Sequence, residues 1–168
     1  MTTRDDSTVY ESAVRFDDSR IRAAAIYCSD GRFGEQVDDF LHNGLKLPRC
    51  DRLAVPGGAA SLAGHFLACR EEDGLVEHLR FLIGAHDLER VVLIAHQDCA
   101  FYAHRLHVPA PRLETRQLED VQAAAERLRS LSRSLAVEGF FARKHADGTV
   151  RFESLRLGGE TSRGPSPS

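Results

Sequence analysis

The sequence contains no apolar run approaching the roughly 20 residues that a membrane helix needs. It has no excess of positive charge. The formal net charge is -3, so there is no electrostatic reason to expect nucleic acid or an anionic membrane as a partner. No internal repeat is visible. The opening residues Met1-Thr-Thr-Arg-Asp-Asp lack the apolar core of a secretory signal. Cysteine is scarce, with four in 168 residues. Without a secretory signal, those four point to the cytoplasm, where thiols serve as metal ligands, nucleophiles or packing more often than as disulfides. A chain of 168 residues can bury one full core but has little room for two.

What is present is a strand and helix alternation. Ile21–Tyr27 and Arg90–Ala95 read as near-continuous apolar runs, the pattern of parallel strands covered on both faces. Asp51–Val55 is a shorter third strand. Phe33–His42 has helical spacing and stops at Gly44. Helices are also expected over Ala60–Cys69, Gly74–Ala85 (Leu75, Leu79, Leu82 and Ile83 inward) and Cys99–Leu106. A long one covers Thr115–Leu135, with Leu118, Val121, Ala125 and Leu128 on its inner face. Val137–His145 and Thr149–Leu155 form a hairpin around Asp147-Gly148. The expected class is α/β: three layers, a central and mostly parallel sheet flanked by helices, with a C-terminal hairpin or edge strands. Residues 1–19 form an N-terminal arm whose Val9, Tyr10, Val14 and Phe16 are suited to packing on a partner. Residues 158–168 are Gly/Ser/Pro-rich and expected to be disordered.

Chemistry concentrates at two strand ends. Cys28-Ser29-Asp30-Gly31-Arg32 follows the first strand, and His96-Gln97-Asp98-Cys99 follows the run at Arg90–Ala95. In open α/β sheets, sites are built at the carboxyl ends of strands. If the two strands are parallel neighbours, Cys28, His96 and Cys99 converge. Two thiolates and an imidazole are a zinc set with a fourth position left over.

The order Cys28-x-Asp30-x-Arg32, then His96-x-x-Cys99, resembles the signature of the β-class carbonic anhydrases. Glu77 through His96 is similar to the helix, turn and strand leading to that family's histidine, and Phe140–Leu155 is similar to its last strands. The resemblance covers residues 20–157, taken as one domain. It implies Zn2+ held by Cys28, His96 and Cys99, and reversible hydration of carbon dioxide to bicarbonate by zinc hydroxide. It implies that Asp30, kept ionised by Arg32, accepts the hydroxide's hydrogen. It further implies a closed state, favoured by acid, in which Asp30 leaves Arg32 to become the fourth ligand. A homodimer or higher homo-oligomer is implied as well. The chain departs from the family in the turn after its second strand. Where Arg-Asn-Ala-Gly-Asn is usual, it has Ala54-Val55-Pro56-Gly57-Gly58-Ala59, and Ala100 replaces a glycine.

Other residues have plainer roles. Gly57 and Gly58 make a tight turn that could approach a substrate. Asp98 is expected to cap the following helix. Cys50 and Cys69 are core or surface thiols. His104 and His107, one helical turn apart, could pass protons, although solvation is the simpler role. Two functions stand beside carbon dioxide hydration at the same zinc site. One is metal binding without that activity, and the other is hydrolysis of carbonyl sulfide or carbon disulfide. A cysteine nucleophile at a phosphate or sulfur-transfer loop is disfavoured. Such a phosphatase loop needs a longer gap than the three residues between Cys28 and Arg32, and it leaves His96 and Cys99 without a role.

Overall fold

The structure, a computed structural model, describes residues 9–158. Its centre is a five-stranded sheet in the order β2-β1-β3-β4-β5. The strands are β1 (Ala23–Cys28), β2 (Asp51–Val55), β3 (Arg90–His96), β4 (Ala136–Lys144) and β5 (Val150–Leu155). β1 to β4 run parallel, and β5 returns antiparallel on β4 as the outer strand of the expected hairpin. The α/β class, the three layers and the mostly parallel sheet therefore hold.

Period-two alternation along the apolar strands sorts side chains onto two faces. Ala24, Ile26, Val91, Leu93 and Ala95 face one cluster. This cluster is covered by α2 (Cys69–His86) through Leu75, Val76 and Leu79, and by α3 (Leu113–Leu131) through Val121, Ala124, Ala125 and Leu128. Ala25, Val92 and Ile94 face the other side. There Phe33, Val37 and Leu41 pack from the short α1 (Gly34–Asp39) and the turns flanking it. Leu128 is fully buried. Leu128→Ala should cost about 2–5 kcal/mol, the usual range for emptying a leucine site in a core. Urea denaturation followed by circular dichroism would measure it.

Several expectations change. Ala60–Cys69 is not one helix. It holds two 3₁₀ turns, Gly58–Leu62 and Phe66–Ala68, separated where Gly64 takes φ +74° and His65 is extended. α2 then starts at Cys69 rather than Gly74, with Glu71 and Glu72 in its first turn, where the helix dipole favours carboxylates. Cys99–Leu106 forms only a π-type turn, Phe101–Arg105. On α3 the inner stripe includes Gln117 and Asp120, and Leu118 faces outward. Buried Asp120 explains the rotation, since it accepts a hydrogen bond from His65 Nε2 at 2.6 Å and pairs with Arg116. Residues 9–20 carry no helix or strand, and Val9, Tyr10, Val14 and Phe16 are exposed. Residues 1–8 of the arm and 159–168 of the tail lie outside the described residues. No helix among the described residues is long and apolar enough to cross a membrane.

The strand order sets where a site can form. From β1 the chain crosses to β2 on one side, then to β3 on the other side of β1. Connections leaving β1 and β3 in opposite directions open a crevice at their carboxyl ends, the topological switch point of such sheets. Tyr27 and Ile94 are the last pair between β1 and β3, so Cys28 and His96 lie just beyond that pair, at the lip of the crevice.

Candidate metal centre

β1 ends at Cys28 and β3 at His96, and a tight turn then returns Cys99 beneath them. The ligand atoms of Cys28, His96 and Cys99 all lie within 4.8 Å of one another. His96 and Cys99 are buried and Cys28 is half-buried. The turn is tied to the sheet on its far side. Gln97 N–H donates to Ala142 O at 2.9 Å, and Lys144 N–H donates to Gln97 Oε1 at 3.1 Å.

Two observations test whether a metal fits. The sulfurs of Cys28 and Cys99 are 3.7 Å apart. Two sulfurs bound at about 2.3 Å to one tetrahedral zinc would lie roughly 3.8 Å apart. His96 Nδ1 lies 2.9 Å from Gln97 O. A carbonyl can only accept, so Nδ1 carries the proton and Nε2 presents a lone pair. That Nε2 is buried and has no partner, and buried polar atoms are seldom left so. A ligating histidine is arranged in this way, with its second nitrogen fixed by a carbonyl. The thiols show the same readiness. The hydrogen bond from Cys99 holds Cys28 well below the ordinary thiol range. The same contact, together with burial, pushes Cys99 up. A cation bound by both sulfurs would displace their protons.

Asp30 stands on the turn directly after β1. Arg32 Nε donates to Asp30 Oδ1 at 2.9 Å and Arg32 Nη2 to Oδ2 at 2.5 Å, a two-pronged clamp. These bonds bring the Asp30 carboxyl down to about 2. Phe33, which follows Arg32, is buried and packs against the His96 ring at 4.4 Å between centroids, the rings tilted by 41°. A cavity of about 520 Å3 opens beside Cys28, Asp30 and Arg32. Pro56, Ala100 and Phe101 form its apolar wall, and His104 and Arg105 also line it.

The remaining residues divide. Gly57 and Gly58 both take left-handed backbone, φ +78° and +54°. A Cβ on Gly57 would come within 2.4 Å of the Phe101 ring, and one on Gly58 within 3.0 Å of Cys28 N. Both positions therefore need glycine for packing. Asp98 does not cap a helix. It sits at φ +56° and pairs with Lys144 Nζ at 2.8 Å, because only a turn follows it. His104 lines the cavity beside Asp30, but His107 takes φ +55° and lines a different cavity with His65, Arg112 and Arg116. The π-type turn breaks the spacing that would have aligned them. Cys50 is half-buried on the α1 side of the sheet, and Cys69 is exposed. Sequence reasoning missed Phe33, Phe101 and Arg105. Phe33 was within reach, as an aromatic residue directly following the Asp30-x-Arg32 pair. Phe101 and Arg105 depend on the shape of a turn that no local pattern announces.

Residues 19–151 match a protein-family model described as "Putative carbonic anhydrase". No curated protein sequence matches. Among solved structures, the chain is similar to β-carbonic anhydrase isoform I from the protozoan Trichomonas vaginalis. Identity is 12%, over 84% of this chain and 87% of that one, with a TM-score of 0.56. It is also similar to a tetrameric β-carbonic anhydrase from the filamentous ascomycete Sordaria macrospora. There the identity is 15%, over 81% of each chain, with a TM-score of 0.52. At these identities the likeness is one of fold.

Proposed function

The chain belongs to the family described as "Putative carbonic anhydrase", and from that membership we propose that it is a cytoplasmic zinc enzyme that hydrates carbon dioxide reversibly to bicarbonate. The observation that carries the reading is the Cys28–His96–Cys99 cluster, with an unpartnered imidazole nitrogen, beside a carboxylate clamped by arginine. Cys28, His96 and Cys99 would hold the metal through two sulfurs and Nε2. Zinc bound there would supply a water acidified toward neutral pH.

The chain's own residues do the rest. Asp30 stays ionised because Arg32 clamps both of its oxygens. It accepts a hydrogen from the attacking water and so aims an oxygen lone pair at the carbon of carbon dioxide. Phe33 holds the His96 ring at its angle. Pro56, Ala100 and Phe101 give an uncharged linear substrate an apolar wall. Arg32, His104 and Arg105, along the same cavity, favour a departing anion. Water adds to carbon dioxide to give bicarbonate, and one proton leaves.

The second reading keeps zinc and changes the substrate. Pro56-Gly57-Gly58 replaces the family's usual polar side chains with backbone and an apolar ring. That wall suits carbonyl sulfide or carbon disulfide at least as well as carbon dioxide. Stopped-flow hydration of carbon dioxide by the zinc-loaded protein tests the first reading, and sulfide release from carbonyl sulfide tests the second. Rates at the uncatalysed background in both assays, with one zinc per chain, would leave a zinc protein without either activity.

Assembly belongs to the same proposal. Val9, Tyr10, Val14, Phe16, Phe66 and Phe81 are exposed large apolar side chains, and association would cover them. The Sordaria relative is described as tetrameric. Sedimentation at micromolar concentration is expected to give a closed homodimer or a multiple of it. A monomer mass would refute this.

A further inference from the structure

We propose that the backbone N–H of Gly57 is a dedicated hydrogen-bond donor to the Cys28 thiolate, tempering the charge that this sulfur gives to a bound metal. The inference rests on the zinc reading above and adds a positioning residue to it. Gly57 N lies 3.4 Å from Cys28 Sγ, a normal distance for an amide hydrogen bond to sulfur. The donor comes from a different strand end. It sits on the turn after β2, whereas Cys28 ends β1.

That turn is built to deliver it. Cys28 pairs with Val55, and Ser29 N–H donates to Val55 O at 3.1 Å, so the ends of β1 and β2 are locked in register. Ser61 Oγ donates to Pro56 O at 3.3 Å, and Ala60 N–H donates to Gly57 O at 3.2 Å. The Gly57 N–H lies in the same peptide plane as Pro56 O, so the Ser61 bond helps hold it toward the sulfur, and left-handed backbone at Gly57 then turns the following chain away. Phe101 packs over the bare Cα, where a Cβ would stand 2.4 Å from the ring. Pro56, Gly57 and Gly58 carry no polar side chain, so only main chain can make this contact.

The chemistry gives the contact a purpose. Two thiolates place more negative charge on a metal than three imidazoles would, which makes it a weaker Lewis acid. Hydrogen bonds to ligating sulfur withdraw part of that charge, and partners of this kind tune metal sites. Gly57 therefore acts through Cys28 and not on substrate.

The test uses the full chain, 15N-labelled and loaded with 113Cd in place of zinc. A scalar coupling between 113Cd and the Gly57 amide proton, absent in a 112Cd sample, is the expected result, since coupling passes through an N–H···S–metal bridge. Cadmium coupled to the Cys28 and Cys99 β-protons but not to the Gly57 amide would overturn the inference and leave the metal site standing. Cadmium that does not couple to those β-protons would defeat the zinc reading, and this inference with it. A second measurement replaces Gly57 by glycolic acid, which removes the N–H without adding a Cβ. In the cobalt-loaded protein the sulfur-to-cobalt charge-transfer band should then move to longer wavelength. An unmoved band overturns the proposal.

Discussion

Cys99→Ser is expected to remove zinc from the purified protein, from about one ion per chain to less than about a tenth. Cys99 is buried, and its sulfur is 3.7 Å from that of Cys28. A serine hydroxyl does not ionise at neutral pH and cannot replace a thiolate ligand. Losing an outer-shell partner already weakens metal affinity about 10–100-fold, so losing a ligand should exceed that. Activity should fall to background with the metal. Stability should follow, because a ligand present at a thousand times its Kd contributes about 4 kcal/mol to the folded state. Elemental analysis and thermal melts of wild type, wild type with chelator, and Cys99→Ser would check it. A Cys99→Ser protein that keeps stoichiometric zinc would remove this residue from the ligand set.

Asp30→Asn should do the opposite to the metal and nearly the same to the rate. Zinc is expected to remain at one per chain, because Asp30 faces Arg32 in this arrangement. Turnover should drop by about 10²–10⁴-fold, the usual contribution of a positioned proton-accepting group. Arg32→Ala should also slow turnover while keeping zinc, since Asp30 loses the clamp that aims it. Stability should change little in both variants. The Arg32 side chain is 63% exposed, and exposed ion pairs are worth about 0–1 kcal/mol, or at most about 4 °C in Tm for a chain of this size. Parallel measurement of zinc content, melting temperature and hydration rate separates orientation from folding. Full activity in Asp30→Asn would end the proposed role of the pair.

The strands and the ligand cluster were legible in the sequence for the same reason. Buried parallel strands are continuous apolar runs, so Ile21–Tyr27 and Arg90–Ala95 mark β1 and β3 to within two residues, and Cys28 and His96, directly after those runs, lie at one edge of the sheet. Asp51–Val55 and the C-terminal hairpin were equally plain. Expectations failed where tertiary contacts override helical spacing. Leu118 has the period of an inward residue, yet α3 turns Gln117 and Asp120 inward, because Asp120 is satisfied by His65 from a loop 55 positions away. Asp98 looks like a helix cap, but the helix it would cap is a single turn and Lys144 takes its carboxylate. The Pro56-Gly57-Gly58 turn that the glycines announce is present, and it brings the Gly57 N–H to Cys28 Sγ and Gly58 against Cys28 N.

The separation of 71 residues between Cys28 and Cys99 also bears on how the protein is made. A ribosome adding about 5–20 residues per second would incorporate Cys28 roughly 4–14 s before Cys99. During that interval the first strand carries a thiol at its end without the second sulfur or a completed β3. A single thiol holds a metal ion weakly, so loading has to wait until β3 is complete. Closing so long a loop carries an entropic cost that grows only slowly with length. The nascent chain therefore passes through a period of exposure to oxidants and adventitious metals that ends when β1 and β3 come together.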